Sequence, residues 1–134
     1  MTEEHCIFAI FGATGDLTKR KLLPALYFLE QEGQLKPNIS IICIARREMS
    51  DAQYRNDASS SIKAFSRVKV KDEILNKLLS KIHYYKIDFS NQNDYLELKN
   101  LTEKISGHKC KHCERIFYLA VPSSLIGTIV NNLK

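Results

Sequence analysis

The fold is decided by the stretch Phe11-Gly12-Ala13-Thr14-Gly15-Asp16-Leu17-Thr18, which follows the apolar run Cys6–Phe11 and opens a helical segment. Two glycines between a strand and a helix are typical of an anion-binding turn. Gly12 permits the tight turn, and Gly15 lets the backbone approach a phosphate group. The helix N-terminus adds N–H donors and a positive dipole end, and Thr14 adds a hydroxyl. The turn therefore predicts a pyrophosphate site.

The spacing of this motif leaves an alternative open. It reads G-x-x-G-x-x-T, so it lacks the third glycine of the dinucleotide-binding pattern G-x-G-x-x-G. It is not a P-loop either, because no G-K-[ST] follows. A plain turn between a strand and a helix would also use two glycines, and the rest of the chain has to decide between these interpretations.

Four short apolar runs without strict alternation predict strands that are buried on both faces, as in a parallel sheet. They are Cys6–Phe11, Ile39–Ala45, Ile82–Phe89 and Ile116–Val121. The predicted helices cover Leu17–Glu32, Ser50 to about Phe65, Lys71–Lys81, Ser90 to about Ile105, and Ser123 or Ser124 to Leu133. This alternation predicts an α/β fold with a Rossmann-like, doubly wound parallel sheet that is incomplete and has the strand order 3-2-1-4.

Two residues mark the limits of the first helix. Pro24 belongs in a first turn, so the regular helix is expected to begin near Leu22 or Leu23. Gly33 is expected just past the helix end, where a left-handed backbone conformation is common.

The composition is that of one globular domain, and residues 1–134 are expected to form it. The 134 residues are 44% hydrophobic and 26% charged, with a formal net charge of +5. No stretch has the roughly 20 apolar residues that cross a bilayer, and the polar N-terminus is unlike a signal peptide. A cytoplasmic protein is therefore predicted. Its basic residues are dispersed and no nucleic-acid-binding motif occurs, so neither a nucleic acid nor a membrane is expected as a partner.

The residues that follow the second and third predicted strands bear on the nucleotide. The second strand ends Ile44-Ala45-Arg46-Arg47, where proteins that bind NAD usually carry Asp or Glu for the ribose 2′-hydroxyl. A guanidinium group binds a 2′-phosphate bidentately, so Arg46 favours NADP. The alternative is a surface pair of arginines. Asp88 is expected to accept a hydrogen bond from the adenine amino group, or else to serve as a loop or capping residue, and Phe89 is expected to cover the ring.

Residues 11–27 read FGATGDLTKRKLLPALY and resemble the glucose-6-phosphate dehydrogenase family, whose signature runs G-[AG]-[STK]-G-D-L-A-x-[KR]-K-L-x-P. Thr18 stands where Ala is usual. The resemblance continues at residues 33–35, 45–46 and 117–122, and so covers nearly the whole chain. It implies a Rossmann-like coenzyme domain followed by a large β+α domain. The family oxidises the C1 hydroxyl of glucose 6-phosphate, passes hydride to NADP⁺ and releases 6-phosphoglucono-lactone in the pentose phosphate pathway.

By position, the resemblance also implies a set of site residues. Arg46 matches the arginine that binds the 2′-phosphate, and Tyr118 matches a coenzyme-contacting tyrosine. Lys21 resembles a lysine at the junction of coenzyme and substrate, with a solvated helix lysine as the alternative. Asp16 belongs to the implied loop, with a helix cap as its alternative role. The implied coenzyme loop comprises Gly12, Ala13, Thr14, Gly15, Asp16, Leu17, Thr18 and Lys19.

The segments that carry the family's catalytic residues do not occur in this sequence. The catalytic His and its Asp partner lie in R-I-D-H-Y-L-G-K, and a further lysine lies in E-K-P-F-G. No catalytic residue is therefore expected here, and glucose 6-phosphate is expected to bind only together with the absent C-terminal domain. Full-length family members are homo-oligomers.

Two other classes of protein were weighed against this one. The first is a non-catalytic NADP-binding sensor or regulatory module, which the absence of catalytic segments leaves open. The second is a short-chain reductase, which needs a Tyr-x-x-x-Lys pair. Tyr95 and Lys99 have that spacing but lie too early in the chain.

One cluster of metal-ligating residue types stands outside this scheme. His108, Cys110, His112 and Cys113 lie within six residues. Because no second ligand pair follows at the spacing of a zinc finger, a variable loop without metal is expected. Cys6 and Cys43 lie on predicted strands and are expected to be inert core residues.

Overall fold

The sheet of the computed structural model has four parallel strands in the order β3-β2-β1-β4. The model describes residues 6–35, 39–89, 91–106, 114–121 and 123–133. The strands are β1 (Cys6–Phe11), β2 (Ile39–Ala45), β3 (Ile82–Lys86) and β4 (Glu114–Leu119). The predicted α/β fold and strand order are therefore confirmed. They follow from buried, β-branched strands that need a crossover helix between parallel neighbours.

Strands β3 and β4 differ from their predicted bounds. Strand β3 ends at Lys86 rather than Phe89, because the backbone turns out of the sheet after Ile87, whose N–H donates to the Ala45 carbonyl over 2.9 Å. Strand β4 begins at Glu114 and ends at Leu119, two residues earlier than predicted at each end. Exposed Ile116, Phe117 and Tyr118 show that β4 is less covered than the other strands.

The described residues form five α-helices and one π-helical segment beside the sheet. The π-helical segment Thr18–Leu22 leads directly into α1, so the predicted start of regular helix near Leu23 is confirmed. Gly33 follows with a φ of +71°, as a glycine after a helix should. The helices are α1 (Leu23–Gln31), α2 (Asp51–Phe65), α3 (Asp72–Leu79), α4 (Gln92–Ser106) and α5 (Ser123–Leu133).

The hydrophobic core is divided by the sheet into two layers. On one face, Cys6 and Ile10 of β1 pack with buried residues of α1, α2 and α3. On the other face, Ile7, Ala9 and Phe11 of the same strand pack with residues of α4 and α5. Because successive side chains of a strand point to opposite faces, an apolar side chain at every position of β1 serves both layers.

A buried ion pair joins α1 to the start of β3. The Lys81 Nζ lies 2.7 Å from the Glu30 Oε1, and the two side chains are only 12% and 3% exposed. A charge removed from water is tolerated when a partner of opposite charge is in contact with it. The pair therefore fixes the end of α1 against the edge of the sheet.

Replacing Lys81 with Met should leave the Glu30 carboxylate buried without its partner. We expect this change to lower the free energy of unfolding by roughly 3 kcal/mol or more, measured by urea denaturation. The matched control is Lys63→Met, because Lys63 lies 4.0 Å from Asp72 and both side chains are exposed (56% and 84%). The control should cost less than about 0.5 kcal/mol. Equal losses in the two variants would contradict the assignment.

Candidate functional site

The strand register places the predicted site residues together at the carboxyl ends of the strands. Phe11 lies between Ile44 of β2 and Leu119 of β4, so these three strands end side by side. Ala45 lies opposite Lys86, where β3 ends. In open α/β sheets ligands bind beyond the carboxyl ends of the strands, where neighbouring connections diverge. Here that point lies between β1 and β4.

The glycine turn occupies this position. Gly12 has a φ of +91°, which strains any other residue, and an added Cβ would lie 2.1 Å from the Ala120 carbonyl oxygen. A Cβ on Gly15 would lie 3.2 Å from the Gly12 carbonyl oxygen. Backbone atoms therefore lie close to both glycines, and the turn is tight. The residues that follow it lie at the carboxyl ends of the strands.

Most polar backbone groups of the turn are used inside the protein. The N–H groups of Gly12 and Ala13 both donate to the Ile44 carbonyl, over 2.9 and 3.0 Å. The Gly15 N–H and the Thr18 hydroxyl both donate to the Gly12 carbonyl over 3.0 Å. These bonds correct part of the sequence prediction. The buried Ala13 and Thr18 side chains shape the turn and are not accessible to a coenzyme.

The donors that remain lie at the start of the helical segment. The Lys19 N–H donates to the Gly15 carbonyl over 3.2 Å, which is the first helical hydrogen bond. The N–H groups before it, on Asp16 and Leu17, have no partner within the helix, as at any helix N-terminus. Unpaired N–H groups at a helix start are suitable donors for an anion. The predicted pyrophosphate contact of residues 14–17 stays a prediction.

The predicted loop residues Asp16 and Leu17 and the predicted junction residue Lys21 are exposed. Asp16 accepts a hydrogen bond from the Arg20 Nε over 2.8 Å, so its carboxylate makes an ion pair within the helix and does not cap it. Lys19 is half-buried. Lys21 is exposed and lines a groove of about 600 Å³ between α1 and the end of α2. Its place at a junction with substrate stays a prediction.

The two adjacent arginines line different cavities. Arg46 lines a cavity of about 440 Å³ at the ends of β2 and β3, together with Lys86 and Asp88. Arg47 lines a separate cavity of about 260 Å³ beside the start of α2. Sequence reasoning did not select Lys86, although its position at the end of a strand next to β2 was the available signal. Arg46 and Lys86 give the first cavity two cations, and Asp88 and Asp94 give it two carboxylates.

Asp88 and Phe89 follow β3, but only the first has an exposed side chain. The Asp88 N–H donates to the Asp94 carboxylate over 2.8 Å, which fixes the loop between β3 and α4. The Phe89 ring is 5% exposed and its centroid lies 5.9 Å from that of Phe11. The predicted adenine cover is therefore corrected, because Phe89 is a core residue whose ring is covered by the protein itself.

Tyr118 lies on β4 opposite Ile10, one residue before the edge of the sheet. Its ring is partly exposed, and its centroid lies 6.5 Å from that of Phe8, on the face covered by α1. Contact between Tyr118 and a coenzyme stays a prediction.

A pair of tyrosines that sequence reasoning missed lies beneath the site. The Tyr54 hydroxyl donates to the Ala13 carbonyl over 2.8 Å, and the Tyr84 hydroxyl donates to the Arg47 carbonyl. The two rings stack with their centroids 5.0 Å apart. No motif marks these residues, since their partners are backbone atoms that are distant in sequence. The pair joins the glycine turn to the residues after β2.

The Cys43 thiol lies under the same pair. Burial raises its pKa from 9.0 to about 12. Burial also raises the pKa of Tyr54. Both groups are therefore neutral across the physiological range, and the prediction of an inert Cys43 agrees with its full burial.

The remaining sequence hypotheses find little support within the described part of the chain. Tyr95 is buried and its hydroxyl donates to the Phe89 carbonyl over 2.8 Å, so it is unsuited to the role of a reductase tyrosine. Among the described residues no three His, Cys, Asp or Glu side chains are grouped to hold a metal. The cluster at residues 108–113 lies outside those residues. None of the described helices is long and apolar enough to cross a bilayer.

A parallel sheet of order 3-2-1-4, with a glycine turn after its central strand and an arginine after the neighbouring strand, defines a Rossmann-type dinucleotide-binding domain. The chain belongs to the glucose-6-phosphate dehydrogenase family, because the model described as "Glucose-6-phosphate dehydrogenase, NAD binding domain" matches residues 9–134. A nicotinamide dinucleotide is therefore the cofactor class of this domain.

Similar proteins agree with this membership. Glucose-6-phosphate 1-dehydrogenase of Chlamydia pneumoniae is 36% identical over 128 residues, which are 96% of this chain and 25% of that protein. The enzyme of Chlamydia muridarum is 37% identical over 129 residues, with the same shares. A solved glucose-6-phosphate dehydrogenase in complex with glucose 6-phosphate is 34% identical, with a TM-score of 0.87 over 98% of this chain and 27% of that one. The chain thus spans about a quarter of the length of these relatives.

Replacing Gly12 with Ala should disrupt the turn. The added methyl would meet the Ala120 carbonyl, so β1 and β4 would have to separate, and we expect a loss of unfolding free energy above about 4 kcal/mol. The matched control is Gly33→Ala, because Gly33 also has a positive φ but an added Cβ there meets nothing within 4 Å. The control should lose only about 1–2 kcal/mol in thermal or urea unfolding. A Gly12 variant as stable as the Gly33 variant would contradict the close approach.

The buried thiol should make stability fall at high pH. The Cys43 pKa rises from 9.0 to about 12 on folding, so above pH 9 the unfolded chain releases a proton that the folded chain keeps. The stabilisation is complete below pH 9 and is lost as the pH rises towards 12. Between pH 8 and 10 this titration should lower the free energy of unfolding of the unmodified chain by about 1.4 kcal/mol. The Cys43→Ala variant should lack this decrease, as measured by urea unfolding. Ile41→Val, a core change without a titrating group, should leave the pH profile unaltered. Identical profiles for Cys43→Ala and the unmodified chain would refute this account.

Proposed function

We propose that this chain binds NADP⁺ and forms the coenzyme-binding part of a glucose-6-phosphate dehydrogenase. The observation that carries the proposal is the placement of Arg46 and Lys86 on one cavity at the ends of β2 and β3. A 2′-phosphate is the group that distinguishes NADP⁺ from NAD⁺. The two cations suit its charge and the Arg46 guanidinium can bind it bidentately, although the Asp88 and Asp94 carboxylates line the same cavity.

The described residues suit the rest of the coenzyme as well. The pyrophosphate would bind the N–H groups of Asp16 and Leu17 and the Thr14 hydroxyl, at the positive end of the helix dipole. Asp88, which lines the same cavity as Arg46, is proposed to lie on the adenine side. The first glycines contribute shape, because their N–H and carbonyl groups are largely engaged within the turn.

When bound, the coenzyme supplies a hydride acceptor, and in the proposed reaction the hydride comes from C1 of glucose 6-phosphate. The residues of this chain hold and orient the coenzyme so that its reactive end extends past β1 and β4. Lys21 is proposed to face the sugar phosphate at the junction. Proton removal from the C1 hydroxyl is assigned to a part of the longer protein, because the only histidine in the described residues, His83, lies on β3 opposite Ile42, away from the strand ends.

Because the chain belongs to the glucose-6-phosphate dehydrogenase family, we favour this proposal over a sensor or regulatory module. No observation on the described residues favours such a module. We also propose that residues 1–134 act as a single coenzyme domain and that the protein is cytoplasmic. The homo-oligomeric state implied by the family resemblance stays a prediction.

Calorimetric titration should show that NADP⁺ binds more tightly than NAD⁺ and that Arg46→Ala removes most of the difference. Losing a charge-assisted phosphate contact should cost about 1.5–3 kcal/mol, a roughly tenfold to hundredfold weaker affinity for NADP⁺. NAD⁺ affinity should change little.

Arg47→Ala is the matched control, since it removes the same charge from the adjacent residue, which lines the other cavity. Its effect should be less than about threefold, because only general electrostatics are altered. Equal effects of the two substitutions on NADP⁺, or no preference for NADP⁺ in the unmodified chain, would refute the assignment of Arg46 to the 2′-phosphate.

A further inference from the structure

The stacked tyrosines connect the two ends of the proposed coenzyme site. At one end, the Tyr54 hydroxyl donates to the carbonyl of Ala13, within the glycine turn. At the other end, the Tyr84 hydroxyl donates to the carbonyl of Arg47, the residue after Arg46. Each hydroxyl thus holds the backbone next to a residue that the proposed function assigns to the nucleotide.

The burial and packing of both tyrosines mean that their hydrogen bonds restrain the backbone. Tyr54 and Tyr84 are buried, and their rings stack with an interplanar angle of 23°. Ala13 is buried, so its carbonyl cannot replace a lost donor with water, and the backbone has to shift or stay unsatisfied. Arg47 is exposed, so the Tyr84 bond acts by holding that backbone in place and not by satisfying a buried carbonyl. Stacked, buried rings have little freedom to move apart.

Helix α2 is itself fixed to the neighbouring strand. The Tyr84 N–H donates to the Asp51 carboxylate over 2.7 Å, and the Arg55 guanidinium donates to the Ile82 carbonyl over 2.9 and 2.7 Å. The Ser50 side chain caps the helix through the Gln53 N–H. Tyr54 therefore projects from a fixed helix. The tyrosine pair adds a second connection between the turn and the residues after β2, beside the direct hydrogen bonds from the Gly12 and Ala13 N–H groups to the Ile44 carbonyl.

We propose that Tyr54 and Tyr84 are positioning residues for the coenzyme. Tyr54 holds the pyrophosphate turn, and Tyr84 holds the backbone that presents Arg46 to the 2′-phosphate. This inference rests on the proposed function, since it assigns each tyrosine to one end of the bound NADP⁺.

The test is to titrate the 134-residue chain and its Tyr54→Phe and Tyr84→Phe variants with three ligands. NADP⁺ occupies both ends of the site, NAD⁺ lacks the 2′-phosphate, and 2′-AMP lacks the pyrophosphate. A lost neutral hydrogen bond corresponds to an affinity change of about 2- to 12-fold. We expect Tyr54→Phe to weaken NADP⁺ and NAD⁺ by about fivefold and 2′-AMP by less than twofold. We expect Tyr84→Phe to weaken NADP⁺ and 2′-AMP by about fivefold and NAD⁺ by less than twofold.

Tyr27→Phe is the matched control. Tyr27 is a buried tyrosine whose hydroxyl accepts a hydrogen bond from the Lys71 N–H over 2.7 Å, away from the strand ends. It should lose stability to urea, as the other two variants do, with unchanged affinity for all three ligands. A loss that depends on the ligand separates positioning from a general loss of stability, which would weaken all three ligands alike.

The outcomes are distinct. If the unmodified chain binds and a tyrosine variant shows no change, or an equal change for the three ligands, the positioning role is overturned and the proposed function stands. If the unmodified, folded chain binds none of the three, the proposed function fails and this inference fails with it. If one variant does not fold, the ligand pattern of the other still decides the role of its own tyrosine.

Discussion

Gly12 lies so close to the carbonyl group of Ala120 that no side chain fits between them, and the arrangement of the site depends on this contact. It lets the chain leave β1 in a left-handed conformation while β4 continues alongside, since the Ala120 N–H donates to the Phe11 carbonyl over 2.8 Å. The turn then folds back over β2, where one carbonyl, that of Ile44, accepts two of its N–H groups. Three strands are thereby joined at the point where a nucleotide would bind.

This packing also separates the polar groups of the turn by direction. The carbonyls of Gly12 and Ala13 accept hydrogen bonds from inside the protein, from Thr18 and Tyr54 respectively. The N–H groups at the helix start are left without a partner in the helix, beside the exposed Asp16 carboxylate, which accepts from Arg20. A binding surface for an anion is obtained by satisfying the acceptors internally, and no charged side chain is needed within the turn itself.

The fold was largely predictable, because buried β-branched strands and amphipathic helices leave a clear periodicity in the sequence. The strand order, the start of α1 and the glycine at +71° all follow from local residue types. Arg46 could be selected from the sequence because its guanidinium suits a phosphate, and the structure places it on a cavity at the strand ends, but its role stays a prediction. The site was less predictable where the burial of a side chain decides whether it can contact a ligand. Phe89 is aromatic and placed correctly along the chain, but packing against Phe11 takes its ring into the core. Tyr54 and Lys86 were missed because their roles depend on partners that are distant in sequence.

The position of β1 in the centre of the sheet has a consequence for how the chain folds. Its Cys6 is paired with Ile39 on one side and with Glu114 on the other, so the first strand to be synthesised needs the last one described here to complete its hydrogen bonds. Contacts between residues so far apart in sequence form slowly, because the intervening chain must first be ordered. Until β4 arrives, Gly12 has no carbonyl to pack against. The glycine turn is therefore among the earliest segments to leave the ribosome and among the last to take its final shape.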